Sequence, residues 1–363
     1  MRAPDSASLA YTVTRSPPPP RGGTRSERIH AMSRPRITVI SPVYNAAPYV
    51  ATCAESCLGQ TLSDLELIFV DDGSTDGSFA VLQDIAARDG RLAVIHQENA
   101  GAAAARNRAL DAAHGEFVYF IDADDYIPEK TALERLYRAA TEHGVAVAGG
   151  SLCNDRDGVV DYDSIHGRAL DCFEREEVVA YADYQYDYNF TRFIYSLDLI
   201  QERGIRFPLL SRFEDPVFFV EVMLAAERFA TIPDTVYAYR NGHQAHTWDE
   251  RAVLDRLCGI TQLLELSSER RLAKLHAYVL EQLDVDTTLE YLAHVESPQV
   301  MRALMQANLA VDCALLQTAD ASFPDAYVIE PFRILVGDFQ RVDRLRRSAL
   351  GRLAAKRHAL GKK

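Results

Sequence analysis

The chain has 363 residues, 48% of them hydrophobic and 25% charged, with a net charge of −13. That is enough apolar surface for a substantial core, in one large domain or two smaller ones. The acidic balance repels phosphate backbones and excludes the molecule as a general nucleic-acid binder, while helix N-termini and metal ions still admit nucleotides.

Residues 1–35 hold Pro17 to Pro20, Gly22-Gly23 and scattered Ser and Arg. They read as a disordered lead-in, too poor in apolar residues to offset their ordering entropy. Met32, just ahead of the first strand, is expected to be the true start. From Arg36, short apolar runs alternate with amphipathic stretches. Strands are predicted at 37–40, 65–70, 92–95, 117–121 and 145–148, and helices at 47–58, 76–88, 101–114 and 130–143. This alternation predicts an α/β fold with a mostly parallel sheet flanked by helices. Ligands of such sheets bind beyond the carboxyl ends of the strands. Asp71-Asp72 and Asp122 to Asp125 should therefore open onto one rim.

After Gly150 the alternation stops. Residues 151–190 are polar and tyrosine-rich, followed by a helix at 196–203, the acids Glu214-Asp215 before an apolar helix at 217–226, and a strand near 237–240. Helices are then predicted at 255–266, 273–292 and 298–316. The expected organisation is a lead-in (1–35), a catalytic domain (36–249, divided near 150) and a helical C-terminal region (250–363). The six cysteines lack the second close pair that a zinc site needs and read as reduced thiols. No run approaches the ~18 apolar residues of a bilayer span, and the N-terminus lacks a secretory signal's apolar core, so a cytoplasmic location is expected.

The acidic turn Asp122-Ala123-Asp124-Asp125 suits a hard divalent ion such as Mg²⁺ or Mn²⁺, which takes one or two carboxylates plus ligand phosphates. A solvated turn capping the next helix reads equally well from these residues. Asp71-Asp72-Gly73-Ser74-Thr75-Asp76 contains a helix cap at Ser74, Thr75 or Asp76. Its two leading acids are better suited to a base imide or ribose hydroxyls. Gly101 and the alanines after it permit close backbone approach at a helix N-terminus, with Arg106 one turn in; a packed helix with Arg106 in an ion pair is compatible with that. Asp215 is a candidate general base or a helix-dipole partner. His243 and His246 are candidate metal or diphosphate contacts.

In this order the segments resemble the family 2 glycosyltransferases of GT-A fold. The resemblance is carried by Ile37 to Asn45, Val70 to Ser78, Asn99 with Gly101, Ala105-Arg106-Asn107, Phe120 to Asp125, Glu214-Asp215 and Tyr237 to Arg240. It spans roughly residues 36–245 and leaves the C-terminal helices outside. The resemblance implies an inverting transfer of a sugar from a nucleotide-diphosphate donor, a UDP-sugar for preference, to a hydroxyl of a glycan or lipid-linked acceptor. Pro42, Tyr44, Asn45, Asn99, Gly101 and Ala123 would line the donor pocket. Asp71 or Asp72 would read the base or ribose, Arg106 would lie near the diphosphate, and Asp122 would contact ribose or sugar. Asp124 would hold Mn²⁺ or Mg²⁺, with His246 as a further candidate ligand, and Asp215 would be the base. Pro216 restricts Asp215 to an extended conformation, which leaves its reach open. A catalytically inactive nucleotide- or glycan-binding module of the same fold is the alternative. Residues 341–363 alternate basic and leucine positions, fitting either a solvated helix or a peripheral contact with anionic lipid.

Overall fold

A computed structural model describes residues 34–156, 158–162, 171–241, 248–283, 288–320, 328–329 and 331. These form two compact units. One contains the residues up to Tyr184 with 188–209 and 218–241; the other contains 185–187, 210–217 and the described residues from Trp248 onward.

The first unit is built on a sheet whose first half follows the predicted alternation. Strand β1 (Ile37–Val43) leads to helix α1 (Val50–Leu58), β2 (Leu65–Asp72) to α2 (Ser78–Arg88), β3 (Leu92–Gln97) to α3 (Ala102–Ala112), and β4 (Phe117–Phe120) to α4 (Ala132–His143). β1 lies between β2 and β4, and β3 pairs with the outer side of β2, all in parallel. Because β1 is covered on both sides and both faces, Ile37, Val39, Ile40 and Val43 are all inaccessible to solvent. Each such side chain contributes about 1.5–3 kcal/mol of burial, which is why β1 reads as a continuous apolar run.

The second half departs from simple alternation. β5 (Val147–Arg156) continues well past the predicted strand and pairs with a short β6 (Val159–Asp161). β7 (Glu177–Ala180) and the one-turn α5 (Tyr181–Tyr184) precede β8 (Phe193–Ser196), α6 (Leu197–Arg203), α7 (Glu214–Ala226) and β9 (Arg228–Asn241). The sheet order is β3-β2-β1-β4-β8-β5-β9-β7. β8 is inserted between β4 and β5 and runs antiparallel to both, whereas β5 and β9 are parallel. The polar, tyrosine-rich 151–190 stretch therefore supplies part of β5 and all of β6 and β7. Asn154 and Asp155 are buried there, and Asn154 accepts from Asn241 on β9 at 3.0 Å.

An aromatic layer packs against this half. Phe207 and Phe218 stack with centroids 3.9 Å apart, and Phe120 meets both rings edge-on. Arg192 is wholly buried. Its guanidinium lies 4.2 Å over Phe173, and it donates to the Gly150 carbonyl and the Tyr184 hydroxyl.

The second unit contains α8 (Glu250–Glu269), α9 (Ala273–Glu281), α10 (Thr288–Leu292), α11 (Pro298–Leu309) and α12 (Cys313–Ala319). The single helix predicted over 298–316 is divided at Asp312, which caps α12 by accepting from the Leu315 N–H at 2.8 Å. Within the helix predicted over 273–292, the described residues form α9 and α10. His276 joins α9 to this break: Nδ1 lies 2.8 Å from Ser267 Oγ, and Nε2 accepts from the Asp312 N–H at 2.9 Å. Among the described residues no helix is long and apolar enough to cross a membrane, and no disulfide joins the six cysteines.

Candidate functional site

The carboxyl ends of β1 to β4 open on one edge of the parallel half-sheet, and the segments around Asn45, Asp71-Asp72, Gly101 and Asp122 to Asp125 lie at those ends. The β1–α1 and β2–α2 loops are tied together by side chains. Asn45, at φ 51°, accepts from the Thr75 N–H at 2.8 Å and its own N–H donates to Ser74 Oγ. Asp76 accepts from the Ala47 N–H at 3.0 Å and from the Ser78 N–H at 2.9 Å. Burial works against the charge of Asp76, but these bonds and the Ser78 hydroxyl hold its carboxyl below the usual range. Tyr44 stands outside this web with 53% of its surface exposed.

The two acids ending β2 have different surroundings. Asp72 Oδ1 accepts from Gln97 Nε2 at 2.7 Å and the Ala100 N–H at 2.8 Å, while Oδ2 accepts from the Gly101 N–H at 2.8 Å. Its carboxylate is thus occupied in shaping the loop from β3 to α3. Two glycines make that loop possible. Gly101 sits at φ 91°, and a Cβ on Gly73 (φ 73°) would fall 2.9 Å from the Asn99 nitrogen. Asp71 is fully buried, and its Oδ2 lies 2.7 Å from His96 Nδ1. Its Oδ1 is buried without a hydrogen-bond partner. Nearly all buried polar atoms are paired, so an orphaned carboxylate oxygen at a strand's carboxyl end needs a reason.

Arg106, on α3, crosses to the turn after β4 and donates to Asp122 Oδ1 at 2.8 Å. Its guanidinium is nearly buried and rests 5.0 Å over Phe190 and 5.3 Å over Phe207. Arg106 thus makes the ion pair that its place in the helix allowed. Asn107, its neighbour, both accepts from and donates to the backbone of Phe207.

The acids of the turn divide by burial. Asp125 is buried, accepts from the Arg240 N–H at 2.7 Å, and is held by the Tyr237 hydroxyl. Burial, with Asp124 and Asp122 close by, pushes its carboxyl well above the ordinary range. Asp122 and Asp124 are partly exposed, and Ala123 between them is buried. Arg240 closes the turn from β9. Its Nη1 donates to the Asp124 carbonyl at 2.6 Å, and its guanidinium lies 5.2 Å over Tyr49 and 5.1 Å over Tyr126.

Among the described residues no group of three or more His, Cys, Asp or Glu side chains is arranged to hold a metal ion. A hard cation held by one or two carboxylates, with phosphate and water completing its shell, does not require such a group. The partly exposed Asp122 and Asp124 fit that mode. His243 and His246 lie outside the described residues, as do 341–363. Asp215 belongs to the second unit. It sits inside the first turn of α7, which begins at Glu214, and not in an extended segment ahead of the helix. Pro216 is accommodated because the first turn has no intrahelical use for its missing N–H. Phe213, at φ 69°, turns the chain sharply into the helix and packs on Gly259 of α8.

His96 and Arg240 were not singled out by the sequence as site residues. The signal for His96 was positional, a polar residue near the end of the strand that pairs with β2 and its Asp71-Asp72; Arg240 stood in the Tyr237 to Arg240 segment that carried the resemblance.

The family model described as "Glycosyl transferase family 2" matches residues 38–203. The uncharacterized glycosyltransferase EpsJ of Bacillus subtilis is 33% identical over 59% of this chain and 63% of its own length. Glycosyltransferase GlyG of Streptococcus pneumoniae is 33% identical over 56% of this chain and 70% of its own. The chain spans less than two thirds of the length of EpsJ, the first of these curated relatives. Among solved structures, S. aureus TarS 1-349 in complex with UDP-GlcNAc superposes with a TM-score of 0.64 at 24% identity, over 77% of this chain and 82% of that one. The mixed sheet is thus that of a GT-A fold.

Proposed function

Because the chain belongs to glycosyl transferase family 2, we propose that it is an inverting glycosyltransferase. It moves a sugar from a UDP-sugar donor to a hydroxyl of a glycan or lipid-linked acceptor, in the synthesis of a cell-envelope polysaccharide or exopolysaccharide. The observation that carries the donor reading is the buried, unpartnered Asp71 Oδ1. A buried acceptor without a donor costs about 1–3 kcal/mol, and a base imide N–H would remove that cost. Uracil presents such a group at N3, and the capture of UDP-GlcNAc by TarS supports the same donor class here.

The other rim residues take roles that follow from their surroundings. Tyr44 offers an exposed ring to the base, beside Pro42 and the loop held by Asn45. Asp72 keeps Asn99 and Gly101 in the shape that borders the nucleotide. Arg106 and Asp122 share one ion pair, so Asp122 faces the ribose or donor sugar with its charge balanced, next to Ala123. Asp124 would hold Mn²⁺ or Mg²⁺, with His246 as a further ligand. When bound, the ion offsets charge developing on the leaving diphosphate.

Asp215 is the base. It takes the acceptor hydroxyl's proton as that oxygen attacks the anomeric carbon, and the nucleoside diphosphate departs from the opposite side, inverting the configuration. Thermal-shift measurements across nucleotide-sugar donors with Mn²⁺ test the donor reading, since a bound donor raises stability by mass action. UDP-sugars should raise the melting temperature, and absence of a shift with every donor would sink the reading. Asp215→Asn should keep the shift and lose turnover; near-normal turnover would remove Asp215 from the base role.

A further inference from the structure

Asp71 and His96 are direct neighbours in the β2–β3 register. The Asp71 carboxylate can only accept, so His96 Nδ1, at 2.7 Å from Oδ2, carries the hydrogen. The imidazole is itself held, tilted against the Phe79 ring with centroids 5.0 Å apart. Its side chain is 53% exposed while that of Asp71 is wholly buried. One carboxylate oxygen is therefore anchored by a ring at the mouth of the rim, and the other is left without a partner.

We propose that His96 is a positioning residue that sets the base specificity of the donor site. By holding Oδ2, it stops the carboxylate from rotating about its Cβ–Cγ bond and presents Oδ1 as a fixed, acceptor-only group. Such a group accepts the imide N–H of uracil and opposes cytosine, whose ring nitrogen at the same place is itself an acceptor. The asymmetry is large because a mismatched base leaves two facing lone pairs with no hydrogen between them. This rests on the reading of Asp71 as the base contact.

The test is calorimetric titration of the full chain, in Mn²⁺, with UDP and with CDP. Wild type should prefer UDP. His96→Ala should weaken UDP by roughly tenfold and leave CDP unchanged, so the preference collapses. His96→Asn should restore it, because the Asn side-chain nitrogen reaches the position of His Nδ1. If His96→Ala does not fold, His96→Phe keeps the packing on Phe79, removes the donor and carries the same expectation.

A lowered melting temperature with an unaltered UDP-to-CDP ratio would reduce the pair to a tie between strands and overturn the proposal. Failure of His96→Asn to rescue would also overturn it, by assigning the effect to the ring. Asp71→Ala separates the two levels. If it leaves UDP binding intact, the base-contact reading fails and the positioning role falls with it. If it abolishes the preference while His96→Ala does not, only the positioning role fails.

Discussion

Arg240 Nη1 donates to the backbone carbonyl of Asp124 at 2.6 Å, so the acidic turn after β4 is held from β9 by a residue 116 positions away. The same arginine uses its N–H on Asp125 and lies over Tyr49 and Tyr126. A turn carrying three acids repels itself, and this clamp supplies a cation and two donors against that repulsion. On the proposed role of Asp124 in holding the ion, Arg240→Ala should lower kcat/KM by about 10–100-fold, the usual effect of losing a group that orients a metal ligand. The loss should be partly recovered at high Mn²⁺. Steady-state kinetics across a Mn²⁺ titration reads both effects, and wild-type activity would show that the turn keeps its shape unaided.

Asp72 accepts three hydrogen bonds from the loop ahead of α3. Asp72→Ala leaves those donors unanswered and should cost about 2–4 kcal/mol of stability. Chemical denaturation followed by far-ultraviolet circular dichroism measures it. A change below about 0.5 kcal/mol, the scale of an ordinary surface substitution, would show that the loop holds itself.

Removal of divalent metal by EDTA should abolish transfer and leave the fold intact, since Asp122 and Asp124 are partly exposed and the core of the first unit is built from apolar side chains. Asp124→Ala should lose turnover even at saturating Mn²⁺. Transfer by Asp124→Ala at the wild-type rate would place the ion elsewhere.

His276 is a pH-dependent element of the second unit. Burial lowers its pKa, against the opposing pull of Asp312, and its Nε2 must stay unprotonated to accept from the Asp312 N–H. The unfolded chain then binds the proton more readily, so stability rises with pH across the interval between the two values. The contribution is complete above about pH 6.5, the unperturbed histidine value, and is lost as pH falls through the lower folded value. Trp248, the chain's one tryptophan, lies in this unit. Its fluorescence should report easier urea unfolding as pH falls below about 6.5, and a His276→Gln protein should lack that component. An identical pH profile in the variant would remove His276 as the origin.

The fold's first half could be read from residue order because its signals are local. Parallel central strands are apolar along their length, and the helices between them carry an obvious apolar stripe. The second half could not be read so directly. Gly149, Gly150, Ser151, Asn154 and Asp155 have the composition of a loop, yet they lie in β5 because β9 pairs along one side of it while β8 and then β6 pair along the other. The insertion of antiparallel β8 between β4 and β5 joins partners as far apart as Phe117 and Ser196, or Val147 and Tyr195, a pairing that no local periodicity encodes.

The candidate site divides in the same way. Residue types and their order determined that acids, a glycine-bounded helix start and an arginine would share one rim, because strand ends in a parallel sheet share a direction. Only tertiary structure separated Asp71 from Asp72 and Asp124 from Asp125. In each pair the sequence repeats one residue type, while hydrogen-bond partners arriving from His96, Gln97, Gly101, Tyr237 and Arg240 decide that Asp72 and Asp125 are spent on the fold, whereas Asp71 keeps one oxygen unpartnered and Asp124 stays partly exposed.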